Sequence, residues 1–143
     1  MPPKIVVVED DHLDREWIEG ELREYFRGAD IELIGTERKF RERLQYLAQH
    51  PPDIIIFDIM LQWDTPQEGQ KVEDVPKQVR EEGVYTAGLR CVSYLKQFDT
   101  LKDTPYILYT GLDKNNFPTR VVHMKTDQIG PLISEIRARL HET

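Results

Sequence analysis

The sequence predicts an α/β fold: a doubly wound, five-stranded parallel sheet with helices on both faces. Two short runs, Lys4-Ile5-Val6-Val7-Val8 and Ile54-Ile55-Ile56-Phe57, are continuously apolar and largely β-branched. Such runs mark strands buried on both faces, as in parallel sheets. Segments of helical apolar spacing separate the strand runs, which is the pattern of β-α-β crossovers. A third observation concerns the strand ends, where polar and charged residues gather directly after each apolar run.

The elements follow in order. Met1 to Pro3 is a short leader, and the first strand ends at Glu9-Asp10-Asp11. A helix then carries Leu13, Trp17, Ile18, Leu22, Tyr25 and Phe26 largely on one face, with core packing expected for Trp17. Asp11 or His12 lies near its start, where an acidic side chain suits the helix dipole, and Gly28 marks its end. Ile31 to Gly35 is a short strand, and Arg38 to Gln49 a helix with Phe40, Leu44, Leu47 and Ala48 at helical spacing. Pro51 and Pro52 fix the start of the third strand, since neither continues a preceding helix. That strand runs into Asp58.

The rhythm then breaks. Residues 62–83 are polar and charged, punctuated by Pro66, Gly69, Pro76 and Gly83, with apolar residues too sparse for a core element. A connection of this length reads as an inserted loop, functional or mobile. A helix over Thr86 to Phe98 follows, burying Leu89, Val92 and Leu95. Pro105 introduces the fourth strand, Tyr106 to Tyr109, which ends at Thr110-Gly111. The stretch from Leu112 to Pro118 is too short for a full helix, and the fifth strand, Arg120 to Met124, ends at Lys125. The last helix buries Ile129, Leu132, Ile133, Ile136 and Leu140.

At 143 residues the chain (1–143) is one domain with room for a core, and 39% hydrophobic with 31% charged residues is a soluble globular composition. A net charge of −7 argues against nonspecific nucleic-acid binding, which needs a basic footprint. The single cysteine, Cys91, excludes an internal disulfide and fits a reducing compartment. No signal peptide and no run of membrane-spanning length is visible. A cytoplasmic protein with no membrane partner is the expectation.

In a parallel sheet all carboxyl ends of strands share one rim, where ligands collect. Glu9 and Asp10, then Asp58, Thr110 and Lys125, therefore converge. Three crowded carboxylates repel one another unless a hard cation neutralises them, and Mg²⁺ takes oxygen ligands while keeping several waters. The cation, a hydroxyl and an ammonium suit the oxygens of a transferring phosphoryl group, with one carboxylate as nucleophile forming an acyl phosphate.

Strand ends reading Val-Val-Glu-Asp, then Asp58, Thr110-Gly111 and Lys125, resemble the receiver domain of two-component response regulators, over about Lys4 to Leu140. The resemblance implies a flavodoxin-like receiver fold of the single-domain chemotaxis type, with Mg²⁺ as cofactor. By that resemblance Asp58 accepts a phosphoryl group from the phosphohistidine of a sensor histidine kinase or a histidine phosphotransfer protein. Asp10 binds Mg²⁺ directly, Glu9 directly or through water, and Asp58 and the backbone carbonyl of Met60 complete the protein ligands. Thr110 is the switch hydroxyl and Lys125 its ion-pair partner. Asp11 stands outside the acidic pair and reads as a helix-start residue.

The chain also departs from that pattern. Thr126 follows Lys125 where receivers usually carry a proline, and Val122 occupies the place of the aromatic that moves with the hydroxyl. His123 falls on the opposite face by alternation. The fourth helix is shortened and residues 62–83 are inserted. Trp63, beside the acceptor in a polar loop, is either a partner contact or loop packing. The four histidines show no metal-ligand spacing, and Cys91 reads as a buried small hydrophobe.

Three functional classes compete. A phosphoacceptor switch with output by protein contact leads, and it is not an enzyme beyond self-catalysed transfer and hydrolysis. An aspartyl phosphatase commonly carries a second Asp two residues after the first, where this chain has Met60. A pseudo-receiver that binds partners without phosphorylation is the alternative. Neither a phosphate-binding Gly-x-x-x-x-Gly-Lys loop nor a Gly-x-Gly-x-x-Gly turn is present.

Overall fold

The structure, a computed structural model, describes residues 2–65, 74–111 and 122–141. The strands are β1 (Lys4–Val8), β2 (Asp30–Ile34), β3 (Ile54–Phe57), β4 (Tyr106–Thr110) and β5 (Val122–Met124). Every pairing is parallel, and the sheet order is β2-β1-β3-β4-β5. The helices are α1 (His12–Tyr25), α2 (Glu37–Gln49), α3 (Lys77–Glu82), α4 (Ala87–Lys96) and α5 (Gly130–His141).

Strand alternation divides the apolar side chains into two cores. Val6, Val8, Ile55, Phe57 and Leu108 face α2 and α4, where they meet Phe40, Leu44, Leu47, Cys91 and Leu95. Ile5, Val7, Ile54, Ile56 and Ile107 face α1 and α5, against Ile18, Leu22, Leu132, Ile133 and Ile136. Burial of each such side chain is worth about 1.5–3 kcal/mol relative to exposure, so both faces of the sheet must be covered. The doubly wound arrangement follows directly.

Helix starts are set by local hydrogen bonds. The Asp11 carboxylate accepts from the Asp14 N–H and caps α1, and the Thr36 hydroxyl accepts from the Lys39 N–H at the start of α2. Gly28 has φ +79°, a conformation glycine adopts without cost, as the chain turns toward β2.

Several expectations are corrected. On α1 only Ile18 and Leu22 are buried, while Leu13 and Trp17 are 73% and 38% exposed. At 3.6 residues per turn Trp17 lies about 100° and Leu13 about 140° around the helix from Ile18, off the buried stripe. Tyr25 is also exposed, with the Arg137 guanidinium 5.8 Å from its ring. The inserted loop of residues 62–83 is not loop throughout: α3 forms within it and buries Val79. Leu89 is only half-buried, and α4 instead buries Ala87, Gly88, Arg90, Cys91 and Tyr94 along with Val92 and Leu95. The stretch from Leu112 to Pro118, where a shortened fourth helix is expected, lies outside the described residues, as do Arg120 and the side chains of Val122 and His123.

Candidate functional site

The sheet order places β1 between β2 and β3, so the chain leaves β1 and β3 toward opposite faces and opens a crevice between their carboxyl ends. Glu9 and Asp10 follow β1 into this crevice, and Asp58 follows β3. The ladder holds them in place: the Glu9 N–H donates to the Ile34 carbonyl at 3.0 Å, and the Asp58 N–H to the Val8 carbonyl at 2.9 Å. On the far side the Lys125 N–H donates to the Thr110 carbonyl at 2.7 Å. Glu9, Asp58, Thr110 and Lys125 are thus anchored through backbone at strand ends.

Their side chains meet around Lys125. Its Nζ donates to Glu9 Oε2 at 2.6 Å, Asp58 Oδ2 at 3.0 Å and Asp14 Oδ2 at 3.1 Å. Glu9, Asp58 and Thr110 are buried. One oxygen each from Glu9, Asp10 and Asp58 fall within 4.8 Å of one another. Backbone engages three further acceptors: Asp58 Oδ1 by the Met60 N–H at 3.3 Å, Asp10 Oδ2 by the Gln62 N–H at 3.0 Å, and Glu9 Oε1 by the Asp11 N–H at 3.1 Å.

The electrostatics show that one ammonium does not balance this site. Burial and the adjacent Asp58 charge raise the Glu9 pKa well above the carboxylate range, although Lys125 opposes the shift. Burial also raises the Asp10 carboxyl, partly offset by the Gln62 N–H. For Lys125 burial pulls the pKa down, but Asp58 and Glu9 together outweigh it and raise it. The three carboxylates offer an all-oxygen donor set with excess negative charge, which fits a hard divalent cation such as Mg²⁺.

Sequence reasoning missed two participants. Asp14, in the first turn of α1, puts a third carboxylate against Lys125. Arg15 donates from Nη1 to the Glu9 carbonyl at 2.9 Å and fixes the turn after β1. Their positions four and five residues after Asp10, on the first turn of a helix leaving the rim, were the available signal. Gly88 is a third case: a Cβ there would overlap the Asp58 carbonyl oxygen, so only glycine lets α4 pack against the Asp58 backbone.

The remaining candidates resolve individually. Trp63 is half-buried with the Arg41 guanidinium 5.6 Å from its ring, and its carbonyl accepts from the Arg38 N–H. Cys91 is fully buried, and burial holds its thiol protonated. Thr126 closes a turn, donating its hydroxyl to the Gln128 carbonyl at 2.9 Å. No cis peptide bond occurs among the described residues.

Comparison with known proteins now adds to this geometry. No family model matches the chain. The receiver domain of Francisella response regulator 1452 is 17% identical and superposes with a TM-score of 0.66, covering 98% of both chains. The signal receiver domain of a DNA-binding response regulator from Colwellia psychrerythraea 34H is 18% identical, with a TM-score of 0.67 over 98% of both. The fold is that of a response-regulator receiver domain. A third receiver-domain structure, from a sensor histidine kinase of Pseudomonas aeruginosa PAO1, has 15% identity, a TM-score of 0.65 and 99% coverage of both chains. It holds a magnesium ion in its active-site cleft. A curated relative, the protein-glutamate methylesterase/protein-glutamine glutaminase of Geobacillus kaustophilus (strain HTA426), is 39% identical over 56 residues. That match takes in 39% of this chain, and the chain spans only 15% of that relative's length. Among the described residues of this receiver fold, no helix is long and apolar enough to cross a membrane.

Proposed function

We propose that this chain is a phosphoacceptor switch in which Asp58 takes a phosphoryl group from the phosphohistidine of a histidine kinase or phosphotransfer protein. The observation that carries the reading is the buried Asp58 carboxylate, 3.0 Å from Lys125 Nζ and grouped with the oxygens of Glu9 and Asp10. A nucleophilic oxygen of Asp58 attacks phosphorus as the phosphorus–nitrogen bond to the donor imidazole breaks, leaving an acyl phosphate and a free histidine. Lys125 supplies positive charge to the phosphoryl oxygens as they transfer, and the Met60 N–H orients the carboxylate. Thr110, at the end of β4 beside the backbone of Lys125, offers the hydroxyl that reads the new phosphate. Glu9, Asp10, Asp58 and the Met60 carbonyl would hold Mg²⁺, which when bound neutralises charge on the phosphoryl oxygens.

The activity is signalling rather than turnover of a substrate, in the cytoplasm, with output through contact with another protein. The net charge of −7 favours protein over nucleic acid as that partner.

Incubation with acetyl phosphate and Mg²⁺ adds one phosphoryl group to the wild type, seen by mass spectrometry, and none to Asp58→Asn. Label on the Asn variant overturns the assignment of Asp58. No label on the wild type, with the fold intact, favours a binding module that works without phosphorylation.

A further inference from the structure

The ammonium of Lys125 has three N–H donors, and three carboxylates take them: Glu9 at 2.6 Å, Asp58 at 3.0 Å and Asp14 at 3.1 Å. Phosphorylation turns the Asp58 carboxylate into an acyl group and moves its charge onto the phosphoryl oxygens, which then compete with Glu9 and Asp14 for the ammonium. These two partners are not equal. The side chain of Glu9 is 2% exposed, so no water replaces a donor lost there. Asp14 is 47% exposed, makes the longest of the three contacts, and has water to replace what it loses. It also belongs to α1 rather than to the sheet rim, so breaking this pair leaves the ladder contacts of β1, β3 and β4 in place.

We propose that Asp14 is a positioning residue for Lys125, holding the ammonium in the unphosphorylated state and releasing it to the phosphoryl group on Asp58. This rests on the phosphoacceptor reading of Asp58 and adds to it a competitor that sets how readily Lys125 engages phosphate. The exchange also frees the first turn of α1 from the sheet rim. Trp17, which lines a cleft of about 320 Å³ together with Asp14, Ile18, Tyr109 and Lys125, lies where that release is felt.

The test is a double-mutant cycle read by binding of beryllofluoride in Mg²⁺, a mimic of the phosphoryl group, through amide chemical shifts. Asp14→Asn and Asp14→Ala each tighten binding, by about two- to fivefold for loss of a half-exposed competing ion pair. In a Lys125→Ala background the same substitutions change nothing. Glu16→Gln removes an equal charge from α1, where Glu16 pairs with His12 rather than Lys125, and leaves the affinity unchanged. Unaltered binding by both Asp14 variants overturns the proposal alone. So does tightening that persists without Lys125 or that Glu16→Gln reproduces, because a general field effect then suffices. Failure of the folded wild type to bind the mimic overturns the phosphoacceptor reading, and this proposal with it.

Discussion

At Glu9 the folded chain raises a carboxyl from its ordinary value of 4.5 to about 8, through burial first and the Asp58 charge second. A group whose folded pKa lies above its unfolded one stabilises the protein fully below the unfolded value and loses that contribution as pH rises through the folded one. The metal-free protein should therefore lose stability between about pH 5 and pH 8, measured by urea unfolding in chelator. Glu9→Gln should flatten that slope, because the amide has no proton to release. Mg²⁺ binds the ionised, folded site, so it should raise the melting temperature most at the upper end of this window. An unchanged melting temperature across a Mg²⁺ titration at pH 8 would contradict the metal assignment. Asp58→Asn should stabilise the metal-free protein for the same reason, by removing one of the crowded charges.

At the scale of elements, α4 is held to the site by two devices. Its first turn approaches the chain just after β3 so closely that the Gly88 N–H donates to the Ile59 carbonyl at 2.8 Å. Gly88→Ala would force a methyl group into the Asp58 backbone, where neither side has a flexible group to move. The expected cost is about 1–3 kcal/mol or more by denaturant unfolding, with shifted amide resonances around Asp58. The second device is a buried ion pair between α4 and α2, in which Arg90 binds Glu37 through Nε at 2.9 Å and Nη2 at 2.7 Å. Tyr94 donates its hydroxyl to Glu37 Oε2 at 2.9 Å as well. Arg90→Met should cost about 3–5 kcal/mol because it leaves the fully buried Glu37 carboxylate without its cation. Replacing Glu37 and Arg90 together with apolar residues should recover much of that loss, since no buried charge then remains. Equal stability of the single and double variants would refute the pairing argument.

Across the whole molecule, the segment after Asp58 is built into the fold at both ends. The carbonyls of Gln62 and Trp63 accept from the first N–H groups of α2, Glu37 and Arg38, while Asp64 pairs with the Arg38 guanidinium at 2.8 Å. The Gln62 N–H holds Asp10, and the Leu61 N–H donates to the Val84 carbonyl. Loop-closure entropy alone would let a short Gly/Ser link replace residues 62–83 at little cost. These contacts predict otherwise: that replacement should lower the melting temperature and weaken Mg²⁺ binding through Asp10. A link replacing only residues 66–73 keeps every one of them and should leave both quantities near the wild type. If both links behave alike, the tethering contacts contribute nothing measurable.

The sequence by itself determined the sheet and which residues gather at its rim, because both are written in local patterns. Runs such as Ile54–Phe57 have no polar position to expose, so they specify strands covered on both faces. Parallel pairing then brings every carboxyl end to one rim, which is why Glu9, Asp10, Asp58, Thr110 and Lys125 were legible as a set before their contacts were seen. Asp11 was legible as a cap for the same local reason. Tertiary structure alone decided what depends on the direction and depth of side chains from different elements. A polar stretch became α3 because Val79 found a buried place. An aromatic helix face became an exposed flank because the sheet meets α1 along Ile18 and Leu22. Glu37 and Arg90, 53 residues apart, are surface residues by type and lie buried only because each neutralises the other. Asp14 reached Lys125 for a similar reason: helix orientation over the rim, absent from any local pattern, set which of the chain's carboxylates completed the ammonium's three bonds.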